Sequence, residues 1–199
     1  MNIPSGRYDP LMNMEAQHRK KDPVRLHQQL LESAAMIAGR DGIAALSLNA
    51  VAREAGVSKG GLIHHFPNKQ ALIFALFARL LAIMEEAITA LMRDDGVSYG
   101  RFTRAYLNYL ADLTDTHESR QLMVLSLAMP DEPVLRQCWR DWMLDHLARG
   151  DALDNSPTGT LVRYTADGIW LSELTEGITM SAEHRQALVV SLNKMTLPA

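Results

Sequence analysis

Little in the 199-residue chain points to secretion, a membrane or a repeat architecture. It has one cysteine, Cys138, so no intramolecular disulfide can form, which suits a reducing cytosol. Cys138 falls in the apolar run of a helix and reads as a small buried hydrophobe. No apolar run approaches the roughly 18 residues of a membrane helix. The N-terminus carries no apolar signal core. The chain is therefore expected to be soluble and cytoplasmic, with no membrane partner. It also lacks strand-like alternation, internal repeats and low-complexity tracts. His117, His146, His184 and Cys138 show no metal-ligand spacing, and there is neither a nucleophile elbow nor a Gly-rich phosphate loop. No catalytic residue, metal site or cofactor is expected.

What is present is unevenly charged. Residues 1–66 hold eight Lys and Arg against six Asp and Glu, a balance of +2, while residues 67–199 hold twelve against seventeen, a balance of −5. A mildly basic front and an acidic back fit contact with DNA at one end only. The basic excess is small, and taken alone it fits any soluble protein with uneven surface charge.

Residues 47–69 organise the rest. Ser47 is an N-cap, and Leu48, Val51, Ala52 and Ala55 follow at helical spacing. Gly56 stops that helix, because glycine takes the left-handed turn without steric cost. Val57 plugs the turn, and Ser58 caps a second short helix from Lys59. Pro67 ends it by disfavouring a helical Phe66. Two short helices around a tight turn make a helix-turn-helix, whose second helix enters the major groove of DNA.

The run Val51-Ala52-Arg53-Glu54-Ala55-Gly56-Val57-Ser58-Lys59-Gly60, with Leu62 and His64-His65-Phe66-Pro67-Asn68-Lys69, resembles the DNA-binding segment of the TetR (tetracycline-repressor) family of transcriptional regulators. The resemblance implies a small N-terminal DNA-binding domain and a larger C-terminal ligand and dimerisation domain. It also implies phosphate contacts from Ser47, His65 and Lys69. One position departs: the family usually carries an aromatic residue, most often Tyr, where this chain has Ile63. Ile63 cannot donate to a phosphate, although its methyl groups suit a thymine methyl.

The remainder reads as helix throughout: all-α, about nine helices, three of them in the DNA-binding unit. Residues 1–22 are polar, broken by Pro4, Gly6 and Pro10, and expected to be disordered, either as a solvated leader or as a basic arm in the minor groove. Residues 23–68 form the DNA-binding domain, opening with a scaffold helix from Pro23. Residues 69–199 form the second domain, opening with a long helix over Gln70–Met92, about 35 Å at the usual rise. That helix is apolar on more than one face, which predicts cover on several sides. Helices follow over 99–115, 118–128, 132–149 (capped by Asp131), 160–176 and from Ser181 to about Met195. Residues 151–159 are read as a polar loop.

Three constellations follow. If Leu62 and Phe66 face the core, then Lys59, Gly60, Gly61, Ile63 and His64 face outward, with Ser58 at their start. Lys59 and His64 can donate to base edges or phosphates. Two glycines in one short helix cost roughly 1 kcal/mol each relative to Ala, which close approach to DNA would justify. Asn49 has a fitting position for a base or phosphate contact.

In the second domain, Phe102, Tyr106, Met123, Trp139, Trp142 and Trp170 are either a plain aromatic core or the wall of an apolar pocket. Asp141, Asp145, Asp167 and Glu173 would supply a carboxylate for a flat lipophilic cation. Third, Ala166, Gly168, Ile169, Leu188 and Leu192 on the last two helices are candidates for a homodimer interface, small Ala166 and Gly168 permitting close approach.

The function expected is a dimeric transcriptional repressor on a palindromic operator, released by a small lipophilic inducer and controlling an efflux or detoxification gene. The alternatives are a small helical enzyme and a DNA-binding protein without ligand control.

Overall fold

The computed structural model describes residues 22–113, 117–175 and 180–198, and within these not the side chains of 117, 118, 123 and 173–175. The described residues form nine α-helices and no strand. Helix α1 (Pro23–Asp41) begins at N-cap Asp22, whose carboxylate accepts from the Val24 and Arg25 amides, and ends at Gly42 with φ 81°. It runs through Gly39 and stops at Gly42.

A 3₁₀ turn (Ile43–Ala45) leads to α2 (Leu48–Glu54) and α3 (Lys59–Ile63). The expected caps form: Ser47 Oγ accepts from the Ala50 amide and Ser58 Oγ from the Gly61 amide, each at 3.1 Å. Gly56 has φ 66°. The Val57 amide donates to the Ala52 carbonyl at 2.9 Å and the Gly56 amide to the Arg53 carbonyl at 3.2 Å. This pair of hydrogen bonds is the Schellman closure, so the Ala52 and Arg53 carbonyls are satisfied by the turn itself. Gln29 Nε2 adds a bond to the Ala55 carbonyl at 2.8 Å, tying the turn to α1.

Helix α4 (Lys69–Asp94) is capped by Asn68, whose Oδ1 accepts from the Ala71 amide at 2.8 Å. Its N-terminal half (Leu72, Ile73, Leu76, Phe77) packs with Leu30, Ala34, Val51, Leu62 and Phe66. Its C-terminal half (Met84, Ile88) packs with Phe102, Tyr106 and Leu110. One helix thus belongs to both cores, as its apolar residues on more than one face predicted.

Then come α5 (Arg101–Asp112), α6 (His117–Ala128), α7 (Pro133–Arg149), α8 (Pro157–Thr175) and α9 (Ala182–Met195). Helix α5 is the centre of the second half, packed on α4, α8 and α9. Helix α6 leans back onto α1. Helix boundaries differ from expectation at several places: α5, expected over 99–115, spans Arg101–Asp112 and starts after Gly100, whose φ is 67°. Asp131 is not the cap of α7: Glu132 holds that place without a side-chain cap bond, and Pro133 starts the helix. Helix α8 starts at Pro157 rather than Thr160, because Pro fits the first turn and Ser156 Oγ accepts from the Gly159 amide at 3.0 Å.

Two buried arginines pin this half. Arg104 Nη2 meets Asp95 Oδ2 at 2.7 Å, while Nη1 donates to the carbonyls of Tyr99 at 2.7 Å and Thr196 at 2.8 Å. Arg163 Nη1 donates to Thr103 Oγ1 and to the Asp154 carbonyl, both at 2.8 Å.

Candidate DNA-facing helix and small-molecule cavity

At the helix-turn-helix end, α1 and α4 supply a rigid bed and α2 and α3 lie on it. Leu62 and Phe66 are buried as expected, which turns Lys59, Gly60, Ile63 and His64 to the exposed side. Ser47, Asn49 and Ser58 are also exposed, while Gly61, His65 and Lys69 are half-buried. The two serine caps spend a lone pair on the backbone and keep the O–H free to donate.

The glycines are not there for packing within the chain. A Cβ on Gly60 would have no atom within 4 Å, and one on Gly61 would meet only Ser58 Oγ at 3.3 Å. Lys69 has a structural partner that sequence reasoning missed: its Nζ donates to the Ile43 carbonyl at 3.3 Å. The expected basic arm lies outside the described residues.

In the second half a cavity of about 350 Å3 opens between α4, α5, α6, α7 and α8. Tyr106, Trp139 and Trp170 line it, together with Met84, Leu110, Leu122 and Met129. Asp167 is the carboxylate among its described lining residues. Tyr106 Oη donates to Asp167 Oδ1 at 2.5 Å. Burial pushes the Asp167 carboxyl above its usual range, against the pull of the Tyr106 hydrogen bond and the Arg163 charge. Burial, followed by the Asp167 charge, holds the Tyr106 hydroxyl well above its own. An apolar aromatic cavity of this size with one polar pair is the usual form of a small-molecule site.

Four sequence candidates sit elsewhere. Phe102 is buried and stacks on His146, centroids 4.5 Å apart and rings 3° from parallel. Trp142 lies behind Trp139, stacked at 5.3 Å, so it backs the cavity wall rather than lining it. Asp141 and Asp145 are exposed on α7, one accepting from Gln137 and the other paired with Arg149 one turn away. The side chains of Met123 and Glu173 lie outside the described residues.

Behind the Trp pair, Glu85 Oε2 on α4 accepts from Trp142 Nε1 at 2.8 Å and meets His146 Nε2 at 2.6 Å. Met84 in the lining and Glu85 behind it were missed from the sequence because both lie on α4, outside the aromatic-rich later helices. The apolar breadth of α4 was the available signal.

Of the residues proposed for dimerisation, Ala166, Ile169 and Leu192 are buried in this chain's own core, and Leu188 packs against it. Gly168 is exposed, and a Cβ there would have no atom within 4 Å. Ala166 and Gly168, two residues apart on a helix, lie on different faces. Among the described residues, α8 exposes Leu161, Tyr164 (72% exposed) and Leu171, and α9 exposes Val190 and Met195. Among the described residues, no helix is long and apolar enough to cross a membrane.

Family models match two parts of the chain. A family model described as bacterial regulatory proteins, tetR family, matches residues 30–76. One described as tetracyclin repressor-like, C-terminal domain, matches residues 100–197. The chain is 25% identical over 115 residues to the TetC protein of transposon Tn10 from Escherichia coli, a match covering 57% of this chain and 56% of that protein. It is 23% identical over 189 residues to the HTH-type transcriptional repressor KstR2 of Mycolicibacterium smegmatis, covering 87% of this chain and 92% of that one. Among solved structures, the multidrug binding protein EbrR complexed with imidazole aligns over 100% of both chains, with TM-score 0.66 and 24% identity.

Proposed function

The chain belongs to the TetR family of bacterial transcriptional regulators, which are not enzymes, and on that premise we propose a dimeric repressor that a small lipophilic molecule releases from a palindromic operator. The observation that carries the ligand half of this reading is the Trp139–Trp170 cavity with Asp167 set in it. A flat aromatic cation gains there from ring stacking and from the carboxylate; a neutral molecule of the same shape gains only the first. EbrR, similar in fold, has also been solved with malachite green and with ethidium, which supports an inducer of this kind and an efflux or detoxification gene as the target.

The DNA half rests on the ten positions Ser47, Asn49, Ser58–Gly61, Ile63–His65 and Lys69. Ligand and operator compete by linkage: the inducer favours a form in which the two α3 helices are wrongly spaced. Since α4 shares both cores, it is the element that carries the change. Subunits meet through the exposed apolar stripe of α8 and its neighbour α9, with Gly168 allowing close approach.

The test uses the full-length protein and a DNA duplex selected by it from a random-sequence pool. A dimer by light scattering and release of that duplex by ethidium are expected. Ethidium binding without release would remove ligand control and leave a DNA-binding protein.

A further inference from the structure

The DNA-facing end carries a cluster that the contacts above do not use in full. His27, on the second turn of α1, has its ring centroid 5.7 Å from that of His65 and 4.7 Å from that of Phe66. His64 lies 5.8 Å from His65, edge to face. Three imidazoles therefore run from α1 to the residues after α3, against buried Phe66. His64 is exposed and the other two are half-buried. They do not converge on a metal-binding point: among the described residues no group of three or more His, Cys, Asp or Glu is placed to hold an ion.

Their charged surroundings are sparse. On α1, Asp22 is occupied as the N-cap and Arg25 lies two residues away. On α3 the charged residue is Lys59, and at the start of α4 it is Lys69, tied to the Ile43 carbonyl. Burial first, then the like charges of His27 and His64, hold His65 below the ordinary histidine value, and no carboxylate enters that balance.

We propose that His27 extends the DNA-contacting edge from α3 onto α1, and that the three imidazoles grip the operator backbone as imidazoliums, so that operator binding takes up protons. This rests on the reading of residues 58–65 as the DNA-contacting segment. A neutral imidazole offers one N–H, whereas the protonated ring offers two and a charge. In free protein, burial and then the two neighbouring rings oppose protonation of His65. A phosphate beside the rings reverses that preference by supplying the missing counter-charge. Affinity then rises as pH falls through the histidine range, by up to about tenfold per pH unit for each proton taken up, and levels off where both free and bound forms are fully protonated.

The experiment measures anisotropy of the labelled selected duplex with full-length protein from pH 5.5 to 8 at constant ionic strength. Wild type should bind at least tenfold tighter at pH 6 than at pH 7.5. His27→Gln should lose at least threefold of that gain, read as a shallower pH slope whatever its affinity at pH 8. His27→Lys, charged throughout, should bind tighter than wild type at pH 8 with a shallower pH profile. Circular dichroism checks the fold of each, and His65→Gln repeats the test if His27→Gln does not fold. Equal pH slopes in wild type and the folded glutamine variant, or a flat wild-type profile, would overturn the proposal while leaving DNA binding intact. Absence of any duplex binding by wild type, at any pH, would overturn the DNA reading itself and this inference with it.

Discussion

The two functional ends handle polar groups in opposite ways. At α2–α3 every cap is satisfied locally, within one unbroken stretch of chain, and the remaining donors point outward. In the cavity Asp167, the carboxylate among the described lining residues, sits beside aromatic rings and is held by one hydroxyl, with partners that come from helices far apart in sequence. In the proposed function the outward end meets a polyanion, whose own oxygens would complete the hydrogen bonding. The enclosed end holds a charge that its surroundings do not fully compensate, as the raised Asp167 shows. An incompletely compensated charge is a site for a counter-ion; a fully capped helix is a scaffold.

The sharpest way to break this comparison is Gly60→Leu. A Cβ at Gly60 enters open space, so the chain itself pays nothing, and a leucine should stabilise the helix by roughly 0.5–1 kcal/mol. Against DNA the same side chain occupies the space the groove needs. A loss of operator affinity of about 100-fold or more is expected, with an unchanged or higher melting temperature. Unchanged affinity would mean that α3 does not approach DNA along this face.

Next is Asp167→Asn. Cationic dyes should bind the unmodified protein at least about tenfold tighter than neutral analogues, a gap of roughly 1.4 kcal/mol, and the variant should lose the gap. The sign with pH follows from the raised carboxyl. Cation binding needs the ionised form, so dye affinity should rise with pH through the raised Asp167 value, while a neutral analogue should show no such trend. For stability the sign is reversed. A carboxyl raised on folding favours the fold below its unfolded value and loses that advantage as pH rises, so the asparagine variant should melt higher than wild type near neutral pH. Trp fluorescence titration and thermal melts measure the two; equal dye preference in both proteins would exclude the cation pocket.

How much of this was legible in the sequence follows the same division. Ser47, Gly56, Ser58, Asn68 and Ser181 act through neighbours three residues away or fewer, so their roles could be read directly, and each cap formed. The cavity depends on which faces of α4, α5, α7 and α8 meet, and helical spacing alone does not determine that. Trp139 and Trp170 were found because large aromatics are rarely wasted on a surface. Trp142, three residues along from Trp139, fell one layer too deep. Asp141 and Asp145 are indistinguishable from Asp167 in sequence, and only the third is turned inward. Asp131 failed as a cap because Pro133, whose fixed φ suits a first helical position, set the start of α7 one residue later. Among the residues expected at a dimer interface, Ala166 and Ile169 point into the same core as Val162, while Gly168 is exposed.

The smallest expected effect lies between the two ends, at Glu85. Its Oε2 accepts from Trp142 and meets His146 across the α4–α7 contact, while Oε1 accepts from Thr89 at 3.3 Å. Burial raises this carboxyl, but the bonds from His146 and Trp142 outweigh it and leave Glu85 below its usual range. A depressed carboxyl stabilises the fold above its unfolded value and loses that contribution as pH falls through the folded one. Because Glu85 is more than a third exposed, solvent screens much of the interaction. Glu85→Gln should therefore cost only about 1 kcal/mol at pH 7, near the value of a single hydrogen bond. The cost should vanish as pH falls below the ordinary glutamate range, where the wild-type carboxyl is itself protonated. Urea melts of both proteins at pH 7 and pH 4 give the difference. Since Trp142 stacks on Trp139 in the cavity wall, the same variant also separates coupling from binding: dye affinity should stay within about threefold of wild type while the dye concentration needed for operator release changes. A shift in dye affinity as large as that of Asp167→Asn would instead make Glu85 part of the cavity's charge, and the contrast between a scaffold end and an enclosed charge would have to include α4.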